Sequence, residues 1–142
     1  VGAAIAGAQA VVVNGPGLVG VELVGDIRAT HPQKRVVLLS RDGKVCGGTH
    51  PEEWQEKIKA VLTKKNIEVR KGTVPKSTLA GGTEPSLSPG SVQLESGELL
   101  SYDVFLPAFA QAPNTQFLAE TQALNDRGQL VVNECLQSTK HP

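Results

Sequence analysis

The chain has 142 residues, with 14 basic against 14 acidic side chains and no net charge at pH 7. That balance leaves no cationic surplus for a nucleic-acid backbone, so nucleic acid is not an expected partner. No apolar run approaches the roughly 20 residues that span a bilayer, so no membrane segment is expected either.

Two cysteines, Cys46 and Cys135, form no C-x-x-C pair. They predict neither a zinc knuckle nor a secreted disulfide framework, but two buried or partly buried free thiols in an intracellular protein. Methionine is absent even at position 1, which suggests a piece of a longer reading frame.

In chain order, Val11-Val12-Val13 is a β-branched run stopped by Asn14-Gly15, the pattern of a buried strand. Gly17 to Thr30 predicts a helix, with Val21, Val24 and Ile27 at helical spacing and Pro32 beyond its end. Arg35 to Leu39 predicts a second buried strand, which completes a βαβ unit with parallel strands and a right-handed crossover. Thr49 to Lys65 predicts another helix. Thr49-His50-Pro51-Glu52 fits a capping box, Trp54, Ile58, Val61 and Leu62 fall in one apolar stripe, and Lys64 and Lys65 suit the negative end of the dipole.

Ile67 to Arg70 predicts a third strand. A Gly/Ser/Pro loop over 81–90 then separates a strand expected near Thr73–Leu79 from one near Ser91–Glu95. Ser96-Gly97 turns that strand into Glu98–Ser101, giving a small antiparallel meander. Asp103 to Ala108 resumes the buried-strand pattern, Phe117 to Glu120 reads as a short helical turn, and Gly128 to Asn133 as a last strand. No internal repeat and no domain boundary is read. The expected fold class is a three-layer α/β domain over residues 1–142, with a parallel sheet, a covering antiparallel β-meander and helices on the other face.

The chemistry is concentrated in Gly15-Pro16-Gly17-Leu18-Val19-Gly20, a G-x-G-x-x-G placed after a strand and before a helix inside a βαβ unit. Gly15 allows the tight turn, Gly17 lets the backbone approach a pyrophosphate, and Gly20 lets the helix pack on the strand. Bare N–H groups and the positive helix end then hold the diphosphate. No Gly-Lys-Ser/Thr follows, so a P-loop is excluded.

The acidic ribose acceptor of NAD-binding motifs, about twenty positions on, is replaced by Ser40, followed by Arg41 and Asp42. Serine does not repel a 2′-phosphate and arginine pairs with one, which tilts the reading towards NADPH. Two alternatives stand beside it: Arg41 as a solvated loop residue, and Asp42 swinging in to restore NAD preference. Glu22 either simply favours the helix N-terminus or reaches the nicotinamide end.

Together these residues resemble the NAD(P)H-binding domain of the pyridine nucleotide–disulfide oxidoreductase superfamily, most of all its apoptosis-inducing-factor-2 and type-II NADH dehydrogenase branch. The resemblance runs from Val11–Ile27 through His31–Ser40, Val92–Glu98, Asp103–Ala108 and Pro113-Asn114-Thr115 to Gly128–Gln137. It implies a Rossmann-like FAD/NAD(P)-binding fold. It also implies an insert lying within an FAD-binding domain whose own glycine motifs are not in this sequence, so that FAD would sit in that missing domain. By resemblance, Val74 lies near the adenine, and Ala108-Phe109-Ala110 faces the pyrophosphate or nicotinamide. Phe109-Ala110 stands where the family has Thr-Gly, with Phe109 either stacking on a ring or packing on a neighbour.

The implied parent passes a hydride from NAD(P)H to FAD, and electrons onward to a quinone-like acceptor, with no catalytic residue in this domain. Two rivals differ in class. A short-chain dehydrogenase needs a lysine four residues after its tyrosine, where Tyr102 has Leu106. A regulatory or structural Rossmann domain would bind no dinucleotide in turnover.

Overall fold

A computed structural model describes residues 1–47, 50–75, 77–109 and 113–140. Its contacts divide the chain into two compact units, Val1–Phe109 and Ala110–Pro142.

The first unit opens with α1 (Gly2–Gly7), β1 (Ala10–Asn14), α2 (Leu18–Thr30) and β2 (Arg35–Ser40). It continues through α3 (Glu52–Lys64), β3 (Ile67–Lys71) and the single turn α4 (Leu79–Gly82), and ends with β4 (Gly90–Gln93), β5 (Leu99–Tyr102) and β6 (Val104–Pro107). Strands β3-β2-β1-β6 form one parallel sheet, and β4 and β5 an antiparallel pair.

The continuous apolar strands are explained by burial on both faces. Val11 and Val13 of β1 pack with Val36, Leu38, Val24, Ile27 and Leu62 on the helical side. Val12, Val37, Leu39 and Phe105 face the other way, towards Val92, Leu94, Leu100 and Tyr102 of the β4–β5 hairpin. The expected three layers are present, with one hairpin as the covering layer. Strand β6 ends the parallel sheet, and its outer side is met by Ser86, which exchanges two main-chain hydrogen bonds with Phe105 at 2.8 and 2.9 Å.

Several sequence expectations are corrected. The segment near Thr73–Leu79 forms no strand among its described residues. Instead α4 follows, with positive φ at four successive positions, Leu79, Ala80, Gly81 and Gly82. The α3 stripe is also shifted. Leu62 and Gln55 are buried and Ile58 is half-buried, whereas Trp54 and Val61 are exposed. Gln55 is tolerated inside because its Nε2 donates to the His50 carbonyl at 2.8 Å. The residue capping α3 is Pro51, without a side-chain bond, and Thr49 of the expected capping box lies outside the described residues. Helix α1 had no sequence signal, since its residues Gly2–Gly7 carry neither polar periodicity nor a cap.

The second unit contains a 3₁₀ helix, Gln116–Thr121, where a short helical turn was expected. The expected last strand, Gly128 to Asn133, is instead two isolated bridges, Leu124 with Leu130 and Val132 with Ser138. Each bridge flanks a turn of identical design. Asn125 Oδ1 accepts from the N–H groups of Arg127 and Gln129, and its carbonyl from Gly128 N–H. Asn133 does the same with Cys135, Gln137 and Leu136. This is an eight-residue structural repeat that the sequence reading missed. The left-handed position is Gly128 in one copy and Leu136, with φ 61°, in the other. Cys46 is buried as expected, but Cys135 is exposed at the second turn.

Lys34 is 3% exposed, and its ammonium donates to the carbonyls of Ala6, at 2.8 Å, and Ala8, at the end of α1. Replacing it by methionine keeps the volume but leaves those carbonyls unsatisfied. Lys34→Met is expected to cost about 1–3 kcal/mol in a urea melt.

Asp103 clamps the start of β1, because its Oδ2 accepts from Gln9 and Ala10 N–H at 2.7 and 2.8 Å. The Ala10 N–H, then the Gln9 N–H, hold its carboxyl below the ordinary 3.8, and Lys34 adds attraction. A depressed carboxyl stabilises the fold above its unfolded value, and that contribution is lost as pH falls through the folded one. Asp103→Asn, which keeps an acceptor but not the charge, should flatten the decline in stability below pH 3.8, measured as melting temperature against pH.

Candidate functional site

All four parallel strands end at one edge, and the loops leaving them shape a cleft of about 470 Å³. That volume is in the range of small-molecule sites. Asn14, Gly15, Pro16 and Gly17 come from the turn after β1, and Arg41, Asp42, Lys44 and Gly47 from the loop after β2. Gly72, Thr73, Val74 and Gly81 follow β3, and Phe109 follows β6. The chain runs outward from β1 to β2 to β3 and then returns to the other side of β1 as β6. The cleft therefore opens where strand order reverses, the crevice in which α/β sheets bind ligands.

The three glycines of the motif meet different surroundings. Gly15 has φ +128°, and a Cβ there would lie 2.6 Å from the Ala108 carbonyl oxygen. A Cβ on Gly20 would lie 1.8 Å from the Gly15 oxygen, so α2 rests main chain to main chain on the turn. A Cβ on Gly17 would meet nothing within 4 Å. Its φ of −71° is one any residue adopts, so the fold itself does not demand glycine there. Gly17 is the residue at the N-terminus of α2, where unpaired N–H groups and the positive dipole end favour an anion.

The surrounding loops are tied together by main chain. Gly15 N–H donates to the Leu39 carbonyl at 3.2 Å, Ala108 N–H to Asn14 at 2.7 Å, and Cys46 N–H to Pro16 at 2.7 Å. Asn14 Nδ2 reaches the Gly82 carbonyl at 3.2 Å, which fixes α4 beside the cleft. Burial raises the pKa of the Cys46 thiol above its ordinary value.

A family model for pyridine nucleotide-disulphide oxidoreductases matches residues 3–142. The chain belongs to that family. It is 24% identical over 136 residues to an FAD-dependent oxidoreductase of Flammulina velutipes, covering 95% of this chain and 40% of the relative. It is 27% identical over 132 residues to the oxidoreductase ptaL of Pestalotiopsis fici, covering 92% and 34%. The chain thus spans two fifths or less of the length of these curated relatives. Among solved structures, it superposes on a ferredoxin reductase of Rhodopseudomonas palustris with a TM-score of 0.76 at 20% identity, covering 96% of this chain and 32% of that one. It superposes on an engineered water-forming NADPH oxidase bound to NADPH with a TM-score of 0.78 at 16% identity, covering 97% and 29%. At these identities the likeness is one of fold, the FAD/NAD(P)-binding α/β fold of the pyridine nucleotide-disulphide oxidoreductases.

Of the residues singled out in the family-like sequence, Gly15, Pro16, Gly17, Arg41, Val74 and Phe109 line the cleft together. Leu18 and Val19 are exposed on the first turn of α2, and Gly20 is buried beneath it. Glu22 is exposed on α2 beyond that first turn. Ala108 is buried and presents its carbonyl to Gly15. Ser40 lies wholly buried under the β2 loop, its hydroxyl donating to the Lys44 carbonyl at 2.6 Å and accepting from Gly43 N–H at 3.1 Å. Ala110 lies outside the described residues. Lys44, Thr73 and Gly81 were not singled out, because only the strand order shows that their loops converge.

The glycine geometry separates fold from binding. Gly20→Ala should destabilise by about 3 kcal/mol or more, since main chain cannot yield to a 1.8 Å contact. Gly17→Ala should leave the thermal melt unchanged.

Proposed function

We propose that this chain is the NAD(P)H-binding domain of an FAD-dependent NAD(P)H oxidoreductase. The observation that carries the reading is the open space over Gly17, at the start of α2, where the glycine turn faces the cleft at the strand-order reversal. Bare amides at that point suit a diphosphate, and a missing side chain lets it come close. Arg41 and Lys44 bring positive charge to the same cleft, and Val74 and Phe109 bring apolar surface for the flat rings of a dinucleotide.

In this reading the domain's task is placement. A bound nicotinamide supplies the hydride chemistry, and these residues bind it and orient it towards a flavin held elsewhere in the parent. The parent is an intracellular member of the apoptosis-inducing-factor-2 and type-II NADH dehydrogenase branch. This domain is inserted in its FAD domain, and its acceptor is a quinone-like compound. The FAD-dependent relative from Flammulina velutipes and the NADPH-bound structural neighbour support the flavin and nicotinamide parts of the reading. No described helix is long and apolar enough to cross a membrane. Alone, the domain turns nothing over.

Calorimetric titration with NADH and NADPH tests the reading directly. The wild-type chain should bind at least one of them, and Gly17→Ala should weaken that binding about tenfold or more through the lost approach of the diphosphate. A wild-type chain that binds neither at millimolar ligand, or a Gly17→Ala chain that binds as well as wild type, would overturn it.

A further inference from the structure

Asn14-Gly15 is the one Asn-Gly step in the sequence, and both residues line the cleft. Asparagine before glycine is a reactive context for loss of the side-chain amide, because no Cβ shields the following nitrogen. In that reaction hydroxide takes the proton of the Gly15 nitrogen, which bonds to the Asn14 Cγ and expels ammonia. Water then opens the cyclic imide at either carbonyl. The products are aspartate and isoaspartate, the latter routing the main chain through its side chain.

The fold holds back each participant. Asn14 ends β1, paired with Leu39 of β2 and Pro107 of β6, and its carbonyl accepts the Ala108 N–H at 2.7 Å. Gly15 is buried, and its N–H donates to the Leu39 carbonyl at 3.2 Å. The Asn14 amide is held in turn, since Nδ2 donates to the Gly82 carbonyl at 3.2 Å. These holds differ in strength. The strand pairing belongs to the core sheet, whereas the Gly82 carbonyl belongs to α4, a single turn with positive φ at every residue. Leu79, itself half-buried, is the α4 side chain that packs on the cluster under the hairpin. Segments with so few buried contacts open locally while the rest of a fold stays closed.

We infer that Asn14 is a deamidation site gated by α4, intact while the Gly82 carbonyl holds its amide and converted when α4 lifts. Conversion is one-way. A carboxylate cannot donate to the Gly82 carbonyl, so α4 loses its tie, and a new negative charge stands on the cleft wall with Gly15 and Gly17. In the proposed function that charge opposes the diphosphate and retires the chain from cofactor binding. This consequence rests on that reading; the conversion does not.

The test keeps the full chain folded at mildly alkaline pH and follows position 14 by peptide mass spectrometry, with aspartate and isoaspartate separated. Wild type in urea gives the open-chain rate, and the folded chain should convert about tenfold or more slower. Gly82→Ala pushes on the gate, because a Cβ there would lie 2.2 Å from Asn14 Nδ2. Leu79→Ala loosens α4 by removing its packing. Each should speed conversion about threefold or more in a chain whose circular dichroism matches wild type. Lys34→Met, destabilised just before the start of β2, should convert at the wild-type rate. Folded wild type converting as fast as in urea, either folded α4 variant converting at the wild-type rate, or Lys34→Met speeding conversion as much as they do would each overturn the gate. Asn14→Asp stands in for one product and should weaken whichever of NADH and NADPH wild type binds by about fivefold or more. Unchanged affinity would overturn the loss of binding. A wild type that binds neither would remove the proposed function and leave the conversion to be judged by its own rates.

Discussion

A Cβ on Gly20 would stand 1.8 Å from the carbonyl oxygen of Gly15, so the first turn of α2 sits directly on the chain leaving β1. Nothing but glycine permits that seat. From it follows the direction of the helix axis, with its N-terminus aimed over the sheet edge, and the position of Gly17 above the cleft. Gly15 is pressed in turn against the Ala108 carbonyl, so the end of β6 is registered to the same turn. The amides at the start of α2 are held by packing on both sides, which is the preorganisation that the proposed diphosphate site needs.

The loops at the edge share that rigidity by a different route. Four main-chain or amide contacts cross from one connection to the next, linking the turn after β1 to the ends of β2 and β6, to the segment at Cys46 and to α4. None of these four contacts depends on a charged pair. The strained left-handed run through Leu79 and Ala80 is kept in place from outside, by Asn14 Nδ2 on the Gly82 carbonyl. Backbone in sparsely populated conformations persists only where the surrounding structure holds it, and such positions cluster beside ligand sites.

Much of this was legible in the residues. The β-branched runs at Val11–Val13 and Arg35–Leu39, with a glycine turn and a helical period between them, leave one arrangement open, and the sheet has it. The glycine loop was readable because Gly15 and Gly20 answer local steric demands of the fold. What escaped depended on long-range geometry or on competing signals. The stripe on α3 was misplaced because Trp54 and Val61 look like core, whereas the buried polar Gln55 is stabilised by one loop carbonyl that periodicity cannot see. Leu79 looked like the end of a strand although it adopts positive φ, a choice imposed by its surroundings rather than by leucine. Lys44 looked like any surface lysine, and only the convergence of loops at a strand-order reversal brings it to the cleft. The paired asparagine turns were hidden because their common feature is a bonding pattern, with just asparagine and glutamine repeated in the letters.

The bridge between Ser86 and Phe105 has a consequence beyond the architecture of this sheet. An open strand flank is a template on which a second chain can add, and lateral growth of that kind leads to aggregates. Here the flank of β6 is occupied by a short return of the chain's own backbone, exchanging two bonds at 2.8 and 2.9 Å. The opposite border, β3, is studded instead with Glu68 and Arg70, ion-paired to each other and to Arg35 and Glu98. An incoming strand would have to strip those charges of both water and partners. The two borders are thus guarded by unlike means, one by self-pairing and the other by electrostatic discouragement, which keeps so apolar a set of strands from recruiting copies of itself.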